Sequence, residues 1–112
     1  MAAEVMVAYL DGELGLAELD EVGQELFRLM HEGRIRVVLD LAGVPHADYR
    51  GMRALISRAE LFRRAGGDLK LSGLSPYLDA IVRAAGGHGK LERYATAKDA
   101  RDAFEWRLSC VA

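Results

Sequence analysis

The chain has 112 residues, of which 51% are hydrophobic and 29% charged, and its formal net charge is -2. This length suits one domain spanning residues 1–112, and the composition excludes a disordered chain. No apolar run approaches the ~20 residues of a membrane span, and the N-terminus lacks a basic segment followed by an apolar one. The single cysteine, Cys110, cannot form a disulfide within the chain. We therefore expect a cytoplasmic protein that does not insert into a membrane.

The first third of the chain predicts a strand, a helix and a second strand. Apolar side chains alternate with period two from Val5 to Leu10, which indicates a strand. From Leu16 to about His31 the apolar positions recur at helical spacing, with acidic residues in the first turn. The dense apolar run from Ile35 to Leu41 predicts a strand covered on both faces, as parallel strands between helices are.

A second helix is predicted to begin at residues 48 to 52. Its apolar positions form one buried stripe, and a partly basic set lies on another face. The stripe comprises Met52, Leu55, Ile56, Ala59 and Phe62, and the other face comprises Arg50, Arg53, Ser57, Glu60 and Arg64.

The rest of the chain repeats the alternation of strands and helices. Asp68 to Leu74 alternates as a third strand, and Ser75-Pro76 is a strong helix start because Ser can cap free amides and Pro is preorganised there. A weak strand is expected around Lys90 to Tyr94, and Thr96 begins a capping box for a final helix. The alternation predicts an α/β protein with helices packed on a sheet.

The charges are distributed unevenly along the chain. The first 32 residues contain eight acids and one base, whereas the second predicted helix carries five arginines. No aromatic interleaving or base-reading motif accompanies these arginines, and the pI is about 5.9. We therefore expect a protein partner and no nucleic acid.

The sequence contains no group of residues that predicts catalysis. His31, His46 and His88 are scattered, without metal-ligand spacing or a cysteine pair, and are expected to be surface histidines. The Gly-rich segment 86–90 lacks the Ser/Thr and the preceding strand of a phosphate loop. We expect no metal, no cofactor and no enzymatic activity. A small nucleotide-binding or ligand-binding α/β enzyme stays open as an alternative, because a fold does not fix a function.

In order and spacing, five segments resemble the STAS domain, the module shared by sulfate transporter tails and anti-sigma factor antagonists. The resemblance implies a single STAS-like domain with a mixed sheet of four to five strands and about four helices. It also implies a bacterial regulator of transcription that works by partner switching. The segments are Asp11 to Leu14, Val37 to Val44, Asp48 to Met52, Gly66 to Ser75 and Thr96 to Ala100.

The signature position departs from the pattern of this family. Partner-switching members carry Asp-Ser-Ser-Gly or similar, and a kinase that is also an anti-sigma factor phosphorylates the serine after the aspartate. Here Tyr49 occupies that position and Arg50 the next one. A tyrosine hydroxyl stands beyond the free amides that could hold a serine phosphate at a helix start. The resemblance therefore implies that the usual phosphorylation switch is missing.

Three roles stay open for Tyr49: it can anchor a partner, block the ordinary kinase, or pack over the loop. Asp48 is expected to cap the helix, and Asp40 and Gly51 to structure the loop before it. We expect a non-enzymatic interaction module that binds an anti-sigma factor, a kinase-like regulator or another STAS protein. An accessory subunit of an ABC-type transport complex is the alternative. A homodimer stays open, with Trp106 either a residue that packs at the edge of the domain or a contact in the dimer. The candidate docking residues are Asp48, Tyr49, Arg50, Met52, Arg53 and Ser57, of which Met52 also belongs to the buried stripe.

Overall fold

The computed structural model describes residues 4–87 and 89–111, with side chains described as far as residue 104. His88 and the side chains of Trp106 and Cys110 lie outside the described residues. Within the described residues, four strands and four helices alternate. In order they are β1 (Met6–Asp11), α1 (Leu16–His31), β2 (Arg36–Gly43), α2 (Tyr49–Arg64), β3 (Asp68–Ser72), α3 (Pro76–Ala84), β4 (Glu92–Tyr94) and α4 (Ala97–Val111).

The four strands form one sheet in the order β1-β2-β3-β4, and each neighbouring pair is parallel. The predicted α/β class is confirmed. The described sheet is parallel rather than mixed, because a helix connects each strand to the next. Crossovers between parallel strands are right-handed. Because the strands follow one another across the sheet in chain order, α1, α2 and α3 lie on the same face of it. The helix α4 packs against β2, β3 and β4.

The main core lies between the sheet and the first three helices. Strand β2 contributes side chains to both faces, and five consecutive residues from Val37 to Leu41 are buried. This burial confirms the expectation of a strand covered on both sides. A smaller core lies on the opposite face, where Phe104 and Ala100 of α4 pack near Val38.

The predicted helix limits agree closely with the structure. Helix α1 spans Leu16 to His31, and α2 begins directly after Asp48. Ser75 caps α3, since its side chain accepts a hydrogen bond from the Leu78 amide at 3.1 Å. The Thr96 hydroxyl likewise accepts the Asp99 amide at 3.1 Å. Helices α1, α2 and α3 each begin at the edge of the sheet where a strand ends, because each connects two parallel strands. Helix α4 follows the end of β4 and so begins at the same edge.

Polar side chains on β3 form a buried row that the sequence pattern did not indicate. Asp68, Lys70 and Ser72 alternate with leucines along β3, so all three point to one face of the sheet. Lys70 is 0% exposed, and its ammonium group forms ion pairs with Asp68, at 3.0 Å, and with Glu92. The same ammonium lies 4.6 Å from the ring centre of Phe104. Helix α4 therefore covers a satisfied cluster of charges.

Candidate functional site

The candidate site lies at the carboxyl edge of the strands, where α2 begins. In parallel α/β sheets, ligands and partners commonly meet the protein at this edge. The loop between β2 and α2 is held by the preceding β1–α1 loop. The Leu14 amide donates to the carbonyl of His46 at 3.0 Å, and the Asp48 amide donates to the carbonyl of Leu14 at 2.9 Å. The residue that precedes α2 is therefore fixed by main-chain hydrogen bonds.

A second contact holds the same loop on its other side. The His46 Nδ1 atom lies 2.7 Å from the hydroxyl of Tyr77, and the two rings stack with centres 5.6 Å apart. Tyr77 lies in the first turn of α3 and is 54% exposed. His46 is exposed, as expected for a surface histidine, but its pairing with Tyr77 was not predicted. Because 31 residues separate the partners, no local pattern indicated it.

Asp48 caps α2 and also forms an ion pair with the side chain of Arg50. Its Oδ1 atom accepts the Arg50 amide at 2.8 Å, and its Oδ2 atom lies 3.2 Å from the Arg50 guanidinium. The side-chain hydrogen bond from Arg50, followed by its backbone amide, lowers the pKa of the Asp48 carboxyl. The same pairing raises the pKa of Arg50. Asp48 is therefore a charged cap, and it occupies one of the amides at the helix start.

The start of α2 presents an aromatic ring and cations to solvent. Tyr49 is 44% exposed, and the Arg50 side chain is 72% exposed. Arg53 and Ser57 are exposed further along the same helix. The Ser57 hydroxyl makes only a long hydrogen bond, 3.5 Å, to the carbonyl of Arg53. Four of the six candidate docking side chains thus lie on an open surface.

Two candidate residues have a different position from the one expected. Met52 is 0% exposed and belongs to the core, so it cannot contact a partner. Its neighbours Arg50 and Arg53 are exposed. Gly51 lies inside α2 rather than in the loop, and it is buried against Leu19 of α1. A Cβ at position 51 would lie 2.8 Å from the Leu19 Cβ. Gly51 therefore permits close packing of α1 on α2.

Asp40 lies at the end of β2, where the loop toward α2 begins. It is 8% exposed, and its Oδ2 atom accepts a hydrogen bond from the Ser72 hydroxyl at 2.8 Å. Its Oδ1 atom accepts the Ala42 amide at 3.1 Å. The two contacts join the ends of neighbouring strands, which are paired at these residues. Both carboxylate oxygens of Asp40 therefore accept hydrogen bonds, and the side chain is buried.

The described residues offer little that resembles a cofactor site. Within residues 4–87 and 89–104, no three His, Cys, Asp or Glu side chains are grouped so that they could hold a metal ion. In the same part of the chain, none of the helices combines the length and apolarity needed to cross a bilayer.

Comparisons with known proteins agree with the fold. BtrV of Bordetella bronchiseptica, a candidate anti-sigma factor antagonist, is 28% identical over 82 residues, which are 73% of this chain and 71% of that protein. A candidate anti-sigma factor antagonist of Thermotoga maritima superposes with a TM-score of 0.81 at 15% identity, covering 90% of this chain and 87% of the other. A sulfate transporter family protein of Wolinella succinogenes superposes with a TM-score of 0.74 at 21% identity, covering 94% and 88%.

The model of the STAS domain family matches residues 2–100, which include every strand, the first three helices and the candidate site. Tyr49 lies within the matched residues. This chain belongs to the STAS domain family.

Proposed function

We propose that this protein is a non-enzymatic, cytoplasmic docking module that acts as an anti-sigma factor antagonist. It binds an anti-sigma factor or a kinase-like regulator through the start and exposed face of α2. The observation that carries the proposal is that Tyr49, Arg50 and Arg53 are exposed at the start of α2. Backbone hydrogen bonds with Leu14 fix the loop from which this helix begins. The similarity to BtrV and to the Thermotoga maritima protein supports it.

The chemistry of this surface favours an acidic partner. Aromatic and arginine side chains are common anchors in interfaces, because they bury area at a low cost in conformational entropy. Arg53 makes no ion pair with any described residue of this chain, so its charge is available to a carboxylate on another protein. Arg50 contributes a smaller net charge, since Asp48 pairs with it.

We further propose that serine phosphorylation does not control this binding. Tyr49 stands at the position of the modified serine, and its hydroxyl lies at the end of a side chain that is 44% exposed. The Asp48 carboxylate already accepts the Arg50 amide, so one donor that could hold a phosphate is occupied. The module is therefore expected to bind without a covalent switch.

The test uses the anti-sigma factor kinases of the same organism, each purified and titrated against the immobilised protein. We expect one of them to bind the wild type, and R53E to weaken that binding about tenfold or more. The matched control is R101E, which reverses an exposed arginine on α4, beyond the sheet from α2. Equal loss in both variants, or no binding to any of these kinases, would contradict the proposal.

The same proteins test the missing switch. After incubation with ATP and the bound kinase, intact-protein mass spectrometry should find no phosphate on the wild type. The variant Y49S should gain one phosphate, because it restores a short hydroxyl at the helix start. Phosphate on Tyr49, Arg50 or Ser57 of the wild type would show that the switch is retained.

The similarity to a sulfate transporter family protein favours a second candidate, an accessory STAS subunit of a membrane transport complex. In that case the same surface of α2 would dock on an ATPase component. Co-purification with an ATPase, in place of a regulator of sigma factors, would distinguish this function. A ligand-binding enzyme is the third alternative, and nucleotides would then raise the melting temperature in proportion to the logarithm of their concentration.

A further inference from the structure

An exposed tyrosine on α3 is bound to the loop that leads into α2. The Nδ1 atom of His46 and the hydroxyl of Tyr77 are hydrogen-bonded at 2.7 Å, and their rings stack with centres 5.6 Å apart. Tyr77 is nevertheless 54% exposed. A tyrosine that is exposed and held in one orientation loses little conformational entropy when a partner covers it. Tyr77 therefore has the properties of an interface anchor.

The surface around Tyr77 is apolar, in contrast to the basic start of α2. Pro76 and Tyr77 are both exposed in the first turn of α3. The acid in the same turn, Asp79, forms ion pairs with Arg83 at 3.0 Å and with Arg93 at 2.5 Å. Its charge is therefore balanced within the chain. The start of α3 thus offers a ring and a proline to a partner, whereas the start of α2 offers arginines.

Tyr77 lies close to the proposed docking residues. His46 precedes Tyr49 by three residues, so their Cα atoms are at most about 11 Å apart. The ring of Tyr77 stacks on His46, and α3 begins at the same edge of the sheet as α2. A standard interface covers about 800 Å² on each partner, which is a patch roughly 30 Å across. A partner that covers Tyr49 with an interface of this size therefore also reaches Tyr77.

We propose that the docking surface extends from α2 onto α3, with Tyr77 as an anchor for the partner and His46 as a positioning residue that holds Tyr77. The partner then carries two adjoining kinds of surface. One is a set of carboxylates that face Arg53, and the other is an apolar patch that covers Tyr77 and Pro76. The inference rests on the proposed function, because the partner is the same regulator. It adds an apolar requirement that the arginines of α2 do not impose.

Titration of the anti-sigma factor kinases against the immobilised 112-residue chain tests the anchor. Y77A should weaken the binding of the kinase about tenfold or more, because it removes the ring. Y77F keeps the ring but loses the hydroxyl that bonds His46, so it should weaken binding only about two- to fivefold. The matched control is F27A, because Phe27 is an aromatic residue that is 45% exposed near the far end of α1. F27A should bind the kinase like the wild type.

A double-mutant cycle tests the positioning role of His46. H46A should weaken binding about two- to fivefold in the wild type, because Tyr77 is then no longer held in one orientation. In the Y77A background the same change should have no further effect, since His46 acts through the ring of Tyr77. H46N keeps a hydrogen-bonding group near the place of Nδ1 and should recover part of the loss. Effects of H46A and Y77A that are independent of each other would overturn the positioning role.

Melting temperatures verify that every variant is folded. Binding that R53E weakens and Y77A leaves unchanged would overturn the extension onto α3, while the proposed docking function would stand. Equal losses of binding in Y77A and F27A would overturn the extension as well. A chain that binds no anti-sigma factor kinase would refute both the proposed function and this inference.

Discussion

The ammonium group of Lys70 lies 3.0 Å from the carboxylate of Asp68, although Lys70 is completely buried. The other oxygen of Asp68 accepts a hydrogen bond from Arg63 at 3.1 Å, so this one carboxylate serves two cations. Glu92 completes the cluster from β4. The ends of α2, β3 and β4 are therefore joined beneath α4.

Removing Asp68 should destabilise the protein strongly. The variant D68A leaves the Lys70 charge with a single carboxylate in a buried position, and we expect a loss of about 3 kcal/mol in the free energy of unfolding. Adding K70M should recover at least about 1 kcal/mol, because an apolar side chain of similar length leaves no buried cation. Urea denaturation of the two variants measures both values. A double variant less stable than D68A would show that Lys70 is stabilised without Asp68.

Gly23 of α1 and Gly51 of α2 face the contact between these helices, and substitution by alanine should change stability differently at the two positions. In G51A the new methyl group meets the Leu19 Cβ at 2.8 Å, and overpacking should cost about 1–3 kcal/mol. In G23A the nearest atom is the Arg58 Nε at 3.3 Å, in a flexible side chain that can move. Alanine has the higher helix propensity, so G23A should be neutral or stabilising by up to about 1 kcal/mol. Equal melting temperatures for the two variants would contradict this difference.

The stability provided by Asp48 should depend on pH. Its pKa is lowered in the folded protein, so its contribution is fully present above the pKa of the unfolded chain and is lost as pH falls through the folded value. The variant D48S keeps a capping oxygen but no charge. The stability gap between wild type and D48S should therefore be largest near neutral pH and close below about pH 4. Denaturant titrations over this pH range measure the gap, and a gap that widens in acid would exclude the ion pair as its cause.

The buried hydrogen bond between Asp40 and Ser72 should matter more than an exposed serine. S72A removes a donor from a carboxylate that is 8% exposed, and we expect a loss of about 1–3 kcal/mol. S57A is the matched control, because Ser57 is exposed and its only hydrogen bond is long, so its effect should stay within about 0.5 kcal/mol. Equal losses of stability in S72A and S57A would mean that the hydrogen bond between Ser72 and Asp40 does not stabilise the protein.

The sequence predicted the helix start at the site because local signals suffice there. Asp48 caps α2 and Ser75 caps α3, and each donor lies within three residues of its cap. Lys70 was missed for a different reason. The alternation along β3 indicates that its polar side chains share a face, but only the position of α4 determines that this face is buried.

The close approach of α1 and α2 was also missed, because it depends on a contact between residues that are distant in the sequence. Gly51 looked like a loop residue next to a signature position, and its contact with Leu19 spans 32 positions of the chain. Met52 was included with the docking residues by its nearness in sequence to Tyr49, whereas helical geometry turns it inward. Periodicity had already placed Met52 in the buried stripe, and the structure agrees with periodicity.

The hydrogen bonds from Leu14 have a consequence for variation among relatives of this protein. Since Leu14 contacts the main chain on both sides of Ala47, the β1–α1 loop acts as a spacer beneath the first turn of α2. A one-residue insertion between Asp11 and Gly15 would tilt that turn while leaving the sheet in register. Under the proposed function, such an insertion is expected to change partner preference, because it moves the docking residues at the start of α2.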